Sequence, residues 1–401
     1  MVRASRRHVL RAGTVIGVAG LAGCSGLLGG GAPSTWTARF GNDDFRTFLW
    51  GVSPTSDGGY VAAGSQGSAD ASQDALLLKV DSEGAQAWLE TVSGPGWDWL
   101  NTAVETDVGV VGVGTMTTET NERGEAVLVA LTEDGDVVWE RTFSGSGDRT
   151  YGWGMTATDD GGFLVAGRTG DHSVGWEPLL VKADAEGDEA WRVSPVPDGV
   201  TSARLNTVHS TDEGYLLTGD VSEGEDTTPN GYLALVDADG ELSWSEQYDT
   251  GRLGRAVPVD DGYLVSGVAL GPDARTAWLL HVDASGAERW SKTYDHGAGG
   301  GISDVTTAAG DLGGGGYYAV GWFMETEGAG ETGWLLAVDG DGTKQGEVTW
   351  DEAGRSYMSA IERVSGGGYV LAGWKDEDGA ESEEETAMAH LRVTTGFDLE
   401  S

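Results

Sequence analysis

A short pattern, an aromatic or aliphatic residue followed by small or apolar residues and then glycine, occurs seven times. The copies are Tyr60–Gly64, Val110–Gly114, Phe163–Gly167, Tyr215–Gly219, Tyr263–Gly267, Tyr317–Gly321 and Tyr369–Gly373. Their closing glycines lie 50, 53, 52, 48, 54 and 52 residues apart. This constrains the fold more than any other feature, because a unit of that size must stack on neighbouring copies to bury its apolar face. The 67 glycines in 401 residues point the same way, toward many turns and short strands.

Each unit continues alike. An apolar run such as Leu76-Leu77-Leu78-Lys79-Val80 is followed by Asp81-Ser82-Glu83-Gly84 and then Trp88. The D-x-x-G-x-x-x-W spacing returns at Asp184/Gly187/Trp191, Asp237/Gly240/Trp244 and Asp283/Gly286/Trp290, and with Thr132 replacing Asp at Gly135/Trp139. The sixth copy has Asp339 and Gly342 but Gly346 in place of Trp, and the seventh keeps only Thr395-Gly396. Asp and Gly suit a tight turn between strands. Four short strands a, b, c and d per unit make a propeller blade. Residues 36–40 read as a strand d with nothing before it, and the seventh copy stops after strand c near Val393. The expected fold is therefore all-β, a seven-bladed β-propeller over residues 36–401 closed by its N-terminal strand, with no long edge unpaired.

The Asp-Gly-Trp spacing resembles the tryptophan-docking motif of quinoprotein-type (PQQ-like) β-propellers, across most of residues 36–396. The resemblance implies that Trp88, Trp139, Trp191, Trp244 and Trp290 dock one blade on the next and carry no chemistry.

Before the repeats, Ser5-Arg6-Arg7-His8-Val9-Leu10 precedes an apolar stretch and then Leu21-Ala22-Gly23-Cys24. This resembles a twin-arginine export signal with a lipobox, Val9 standing where the pattern usually has Phe, and implies cleavage before Cys24 and lipid attachment to its thiol. Residues 1–23 are then a signal peptide, 24–35 a flexible Gly-rich tether, and the mature protein is extracytoplasmic, held at the outer face of the membrane by lipid alone. Removing 1–23 takes four arginines and no acids, leaving 20 bases against 65 acids, a charge of −45. Acidity with only five lysines resembles the surfaces of haloarchaeal proteins, and it disfavours binding to nucleic acid.

Ligands of a propeller meet the loops around its central channel. Arg46, Arg149 and Arg355 each stand 14 residues before a strand-b aromatic, on blades 1, 3 and 7. In so acidic a chain they could form an anion site, with Tyr151, Tyr357, Trp97, Trp99 and Trp153 beside them as stacking surfaces. The alternative is pairing with acids such as Asp44, Asp98 and Asp148. The six histidines lack metal-ligand spacing, and no G-x-S-x-G elbow or P-loop occurs. A quinone cofactor (PQQ) is not expected, since vicinal cysteines are lacking; calcium stays open but unsupported, since acid turns such as Asp237-Ala238-Asp239-Gly240 are incomplete calcium loops. The acidic run 375–386 reads as a solvated b–c loop of blade 7. The expectation is a monomeric, non-catalytic propeller binding a surface protein, glycan or small anion at its channel mouth. A carbohydrate-active or other hydrolytic enzyme, and an assembly factor for exported proteins, are the alternatives.

Overall fold

The computed structural model describes residues 34–399 except 42–44, 68–72, 119–122, 172–174, 198, 224–227, 273, 309–311, 313–314, 328, 351–354 and 377–386. The export signal, Cys24 and nearly all of the tether lie outside the described residues, as do Asp44 and most of the acidic run. Among the described residues no helix is long and apolar enough to cross a membrane.

The chain is all-β and forms the expected seven-bladed propeller of four-stranded antiparallel blades. Strand a of the successive blades is Arg46–Pro54, Trp99–Thr106, Arg149–Ala157, Ser202–Thr211, the second half of Leu242–Val259, Gly299–Thr307 and Ser356–Arg363. Leu242–Val259 runs on without a break, serving as strand d of blade 4 and strand a of blade 5. The ring closes as the sequence ends imply. Trp36–Phe40 pairs antiparallel with Ala387–Thr394, from Trp36↔Val393 to Phe40↔Ala389, and completes blade 7.

The core lies between blades. Seven apolar clusters are each shared by two neighbours, beginning with Trp36, Phe40, Leu76 and Leu391 across blades 7 and 1. This is why the inner strands are apolar on both faces, as in the unbroken burial of Leu76-Leu77-Leu78.

The tryptophans dock as expected. Trp88 Nε1 donates to Glu133 O at 2.7 Å and Trp290 Nε1 to Gly340 O at 3.1 Å, each on the c–d turn of the following blade. A Cβ on the turn glycine would strike the incoming ring: 2.7 Å for Gly187 against Trp139, 2.8 Å for Gly240 against Trp191 and 2.7 Å for Gly286 against Trp244. The aromatic four residues on acts as a second clasp, Tyr248 Oη donating to Gly286 O and Tyr294 Oη to Gly342 O, both at 2.6 Å. Trp36 is a further member of the set that the sequence pattern did not reveal. It lies against Gly84 and donates from Nε1 to Ser82 O at 2.9 Å, docking blade 7 on blade 1. At the joint from blade 6 to blade 7, where Gly346 replaces Trp, the C-terminal tail packs instead. Phe397 meets Tyr318 at 4.9 Å and Tyr369 at 5.6 Å between ring centroids.

Two of the five lysines are interior and occupy one register position. Lys79 and Lys182 each hold an a–b turn carboxylate at 2.9 Å, Asp57 and Asp160. The Thr55 hydroxyl and then Lys79 bring Asp57 down to about 2, and Thr158 with Lys182 do the same for Asp160.

Candidate functional site

Strand a carries a bulge at the same place in every blade. Its ladder to strand b skips a residue between Leu49 and Gly51, Leu100 and Thr102, Gly152 and Gly154, Leu205 and Thr207, Ile302 and Asp304, and Met358 and Ala360. Blade 5 skips from Leu253 to Ala256. Such a bulge bends the strand and re-aims its side chains. It also explains the repeating glycines. A Cβ on Gly64, Gly114, Gly167, Gly219, Gly321 or Gly373 would come within 2.1 Å of the carbonyl oxygen two residues before the bulged one.

Those carbonyls belong to Phe48, Trp99, Tyr151, Arg204, Gly301 and Tyr357, with Arg252 equivalent in blade 5. They form one ring of positions near the start of strand a, where the d–a and b–c loops open. The bulged residues themselves brace the ring. Asn101 Nδ2 donates to Gly152 O at 2.8 Å, Asn206 Nδ2 to Leu253 O at 2.6 Å, and Ser359 Oγ to Leu49 O at 2.7 Å, each reaching the next blade.

Beyond this ring the strands a of all seven blades enclose a cavity of about 320 Å³. On its wall Arg255 of blade 5 joins Asp304 of blade 6 and Glu362 of blade 7. Asp304 is spent on structure. Its Oδ1 accepts from Val305 N at 2.7 Å, its Oδ2 from Ile361 N at 2.9 Å, and Arg255 lies 3.4 Å away. Burial raises its carboxyl above the usual carboxylate range, against the lowering pull of Arg255. Larger hollows lie among the a–b turns, lined by Asp212, Asp260 and Asp261, where Arg289 is already paired with Asp261 at 3.1 Å.

The mouth is polarised. On blades 3 to 5, Arg204 pairs with Asp220 at 2.5 Å, Arg252 lies 3.9 Å from the same carboxylate, and Arg168 stands over aromatic rings. The Arg168 guanidinium is 3.9 Å from the Trp176 ring centre, 5.2 Å from Tyr151 and 5.4 Å from Trp153, and Arg204 lies 5.1 Å from Trp153. Among the described residues Arg168 has no carboxylate within ion-pair distance, so three guanidiniums share one acid. Nε of Arg168 and of Arg204 are buried with no acceptor. Burial, and then the neighbouring Arg204 charge, lower Arg168 to about 10, so it remains cationic at neutral pH. The group holds more guanidiniums than carboxylates, against the sign of the chain's net charge of −41.

Across blades 6, 7 and 1 the mouth is aromatic. Trp322 lies beside Tyr357 at 6.3 Å and 22°, and Tyr357 beside Trp374 at 6.1 Å and 5°. Phe48 meets Trp374 edge-on at 5.2 Å and Trp50 at 5.7 Å.

The residues singled out in the sequence divide between these features. Trp99, Tyr151 and Trp153 cluster, with Trp99 6.1 Å and Trp153 5.6 Å from Tyr151. Tyr357 belongs to the second aromatic arc. Trp97 is 50% exposed at the rim, its backbone N–H donating to Thr117 Oγ1 at 2.6 Å. Arg46 and Arg149 open their strands two positions before the ring that faces the mouth, and Arg355 stands just before Ser356. Arg149 Nη1 lies 3.3 Å from the Tyr151 hydroxyl, whereas Arg355 Nε donates to the buried Asp376 at 2.8 Å. Asp148 pairs with Arg123 at 3.2 Å, and Asp98 accepts from the backbone N–H of Gly94 and Thr117 at 2.5 and 2.8 Å. Arg168, Arg204 and Arg252 gather on one side of the mouth near Asp220. Arg204 and Arg252 lie just before the bulge and Arg168 follows the repeat glycine Gly167, a signal available in the sequence once the bulge is known.

No family model matches the chain, and no curated protein matches it. Among solved structures, it is similar to Drosophila Semaphorin 1b, extracellular domains 1–2, with TM-score 0.44 and 9% identity over 89% of this chain and 86% of that one. It is similar also to the subtype N11 neuraminidase-like protein of A/flat-faced bat/Peru/033/2010, with TM-score 0.43 and 12% identity over 73% and 86% of the two chains.

Proposed function

We propose that this chain is a non-catalytic binding propeller that takes an anionic ligand at its channel mouth. The observation that carries this reading is the group of Arg168, Arg204 and Arg252 around the single carboxylate of Asp220, bordered by aromatic rings. An excess of guanidinium over carboxylate beside low-dielectric ring faces favours a carboxylate, sulfate or phosphate group from outside. In the channel, Asp304 and Glu362 share Arg255, and Asp304 spends both oxygens on backbone donors; this supports bracing of blades 5 to 7 over acid–base work on a substrate.

The rest of the reading rests on sequence. The mature protein begins at Cys24, is lipid-anchored by it at the outer face of the membrane, and presents the propeller extracytoplasmically. Its docking spacing resembles that of PQQ-like repeat propellers and its acidity resembles that of haloarchaeal proteins, and it works as a monomer without quinone or metal.

The anion reading is tested by calorimetry with inorganic sulfate and with galacturonate as probes. Arg168→Gln and Arg252→Gln should each weaken binding about 10-fold or more, the scale of one charge-assisted hydrogen bond, with little change in thermal midpoint. Arg355→Gln, whose partner is Asp376, should instead lower the midpoint and leave binding nearly intact. Unchanged affinity in Arg168→Gln and Arg252→Gln would sink the site.

A further inference from the structure

The mouth has two unlike halves, and a small anion would use only one of them. Opposite the guanidiniums, the wall of Trp322, Tyr357 and Trp374 carries no charge. Trp322 and Tyr357 are partly exposed, and Trp374 is buried behind them at 8% exposure. Neighbouring near-parallel rings stand 6.1 and 6.3 Å apart, less than the roughly 7 Å that a flat ligand needs to slide between two faces at van der Waals contact. The wall therefore offers no slot for a planar heterocycle. It offers a surface for a ring whose own C–H face is apolar and whose polar groups lie at its edge. The adjoining cavity is lined by polar groups such as Ser303, Thr102 and Asn101. A pyranose matches that combination, since its C–H groups meet the negative ring face while its hydroxyls find donors and acceptors at the rim.

Resting on the anion reading above, we propose that the ligand is an acidic oligosaccharide laid across the mouth. The acid group of one sugar sits on Arg168, Arg204 and Arg252, and a neighbouring sugar stacks on the wall of Trp322 and Tyr357. Carboxylate and sulfate share the chemistry that the guanidiniums recognise, so the acid is a uronate or a sulfate ester.

The test compares four probes by calorimetry on the full chain: galacturonic acid, a galacturonate tetramer, a sulfated galactose tetrasaccharide and a neutral galactose tetrasaccharide. One of the acidic tetramers should bind at least about 10-fold more tightly than the monosaccharide, and the tighter one identifies the acid; the neutral tetramer should bind more weakly than either. Trp322→Leu should bring the acidic tetramer down to the affinity of the monosaccharide, and Tyr357→Phe should keep it. Trp50→Leu, from the same aromatic arc, serves as the second variant if Trp322→Leu lowers the thermal midpoint. Equal affinity for monosaccharide and tetramer overturns the oligosaccharide and leaves the anion site standing. A neutral tetramer as tight as the acidic ones, or no binding of any anion, overturns both.

Discussion

The repeating glycine is legible in the sequence as a period, but its reason is visible only as a clash. At Gly167 an added Cβ would stand 1.8 Å from Tyr151 O, because the bulge in strand a drives that carbonyl toward strand b. The same bulge aims the mouth side chains, so repeat and site have one cause. Asp98 shows how a single buried acid serves the site. Fully buried between Trp97 and Trp99, it ties the d–a loop of blade 2 to Thr117 through two backbone N–H groups. Burial raises its carboxyl from 3.8 to about 6, the two hydrogen bonds opposing. Between those values the folded chain holds a proton that the unfolded chain releases, so this group's contribution to stability falls as pH rises from about 4 to about 6. The full difference is on the order of 3 kcal/mol. Asp98→Asn removes the titration. Its urea midpoint should therefore improve relative to the parent as pH is raised from 4 to 7, and a gap independent of pH would refute the assignment.

Among the elements, Trp36–Phe40 contributes most for its length. Five residues complete blade 7, supply Trp36 to the dock on blade 1 and convert two sheet edges into a closed ring. Trp36 is 3% exposed and stacks edge-on with Tyr60 at 5.8 Å. Trp36→Ala should cost about 3–5 kcal/mol, the range for emptying a buried aromatic site, and should speed proteolysis at the N-terminal strand. Loss of under about 1 kcal/mol would mean that blade 7 closes without it. Ring closure was legible because the two chain ends each lacked what the other had. The role of Phe397 at the blade 6 to blade 7 joint was not, since a tail residue carries no periodic signal and becomes a docking group only when folded against Tyr318 and Tyr369.

At the scale of the molecule, charge acts on fold and site with opposite signs. With 65 acids against 24 bases, and with burial removing a few charges of each sign, the surface is strongly acidic. Added salt screens that self-repulsion, the Debye length falling from about 10 Å at 0.1 M to about 3 Å at 1 M. Raising NaCl from 0.1 to 1 M should lift the thermal midpoint by on the order of 5–10 °C while weakening sulfate binding at the arginine half of the mouth. A midpoint that falls with salt would refute self-repulsion as the dominant surface term.

The sequence by itself determined the blade count, the docking tryptophans of five joints and the closure of the ring, because these rest on periodic contacts that each unit must make with the next. It also marked Tyr151, Trp153, Trp99 and Tyr357 as aromatic groups of the mouth. Only the tertiary structure decided which arginines meet. Arg46, Arg149 and Arg355 share a register along the chain, but a side chain's direction in these strands depends on where the bulge falls. The bulge turns Arg204 and Arg252 toward the mouth, where Asp220 lies between them and the aromatic rings hold Arg168 alongside, while Arg355 closes on Asp376. Spacing specifies which residues are equivalent, and the bend of the strand specifies which of them face a common ligand.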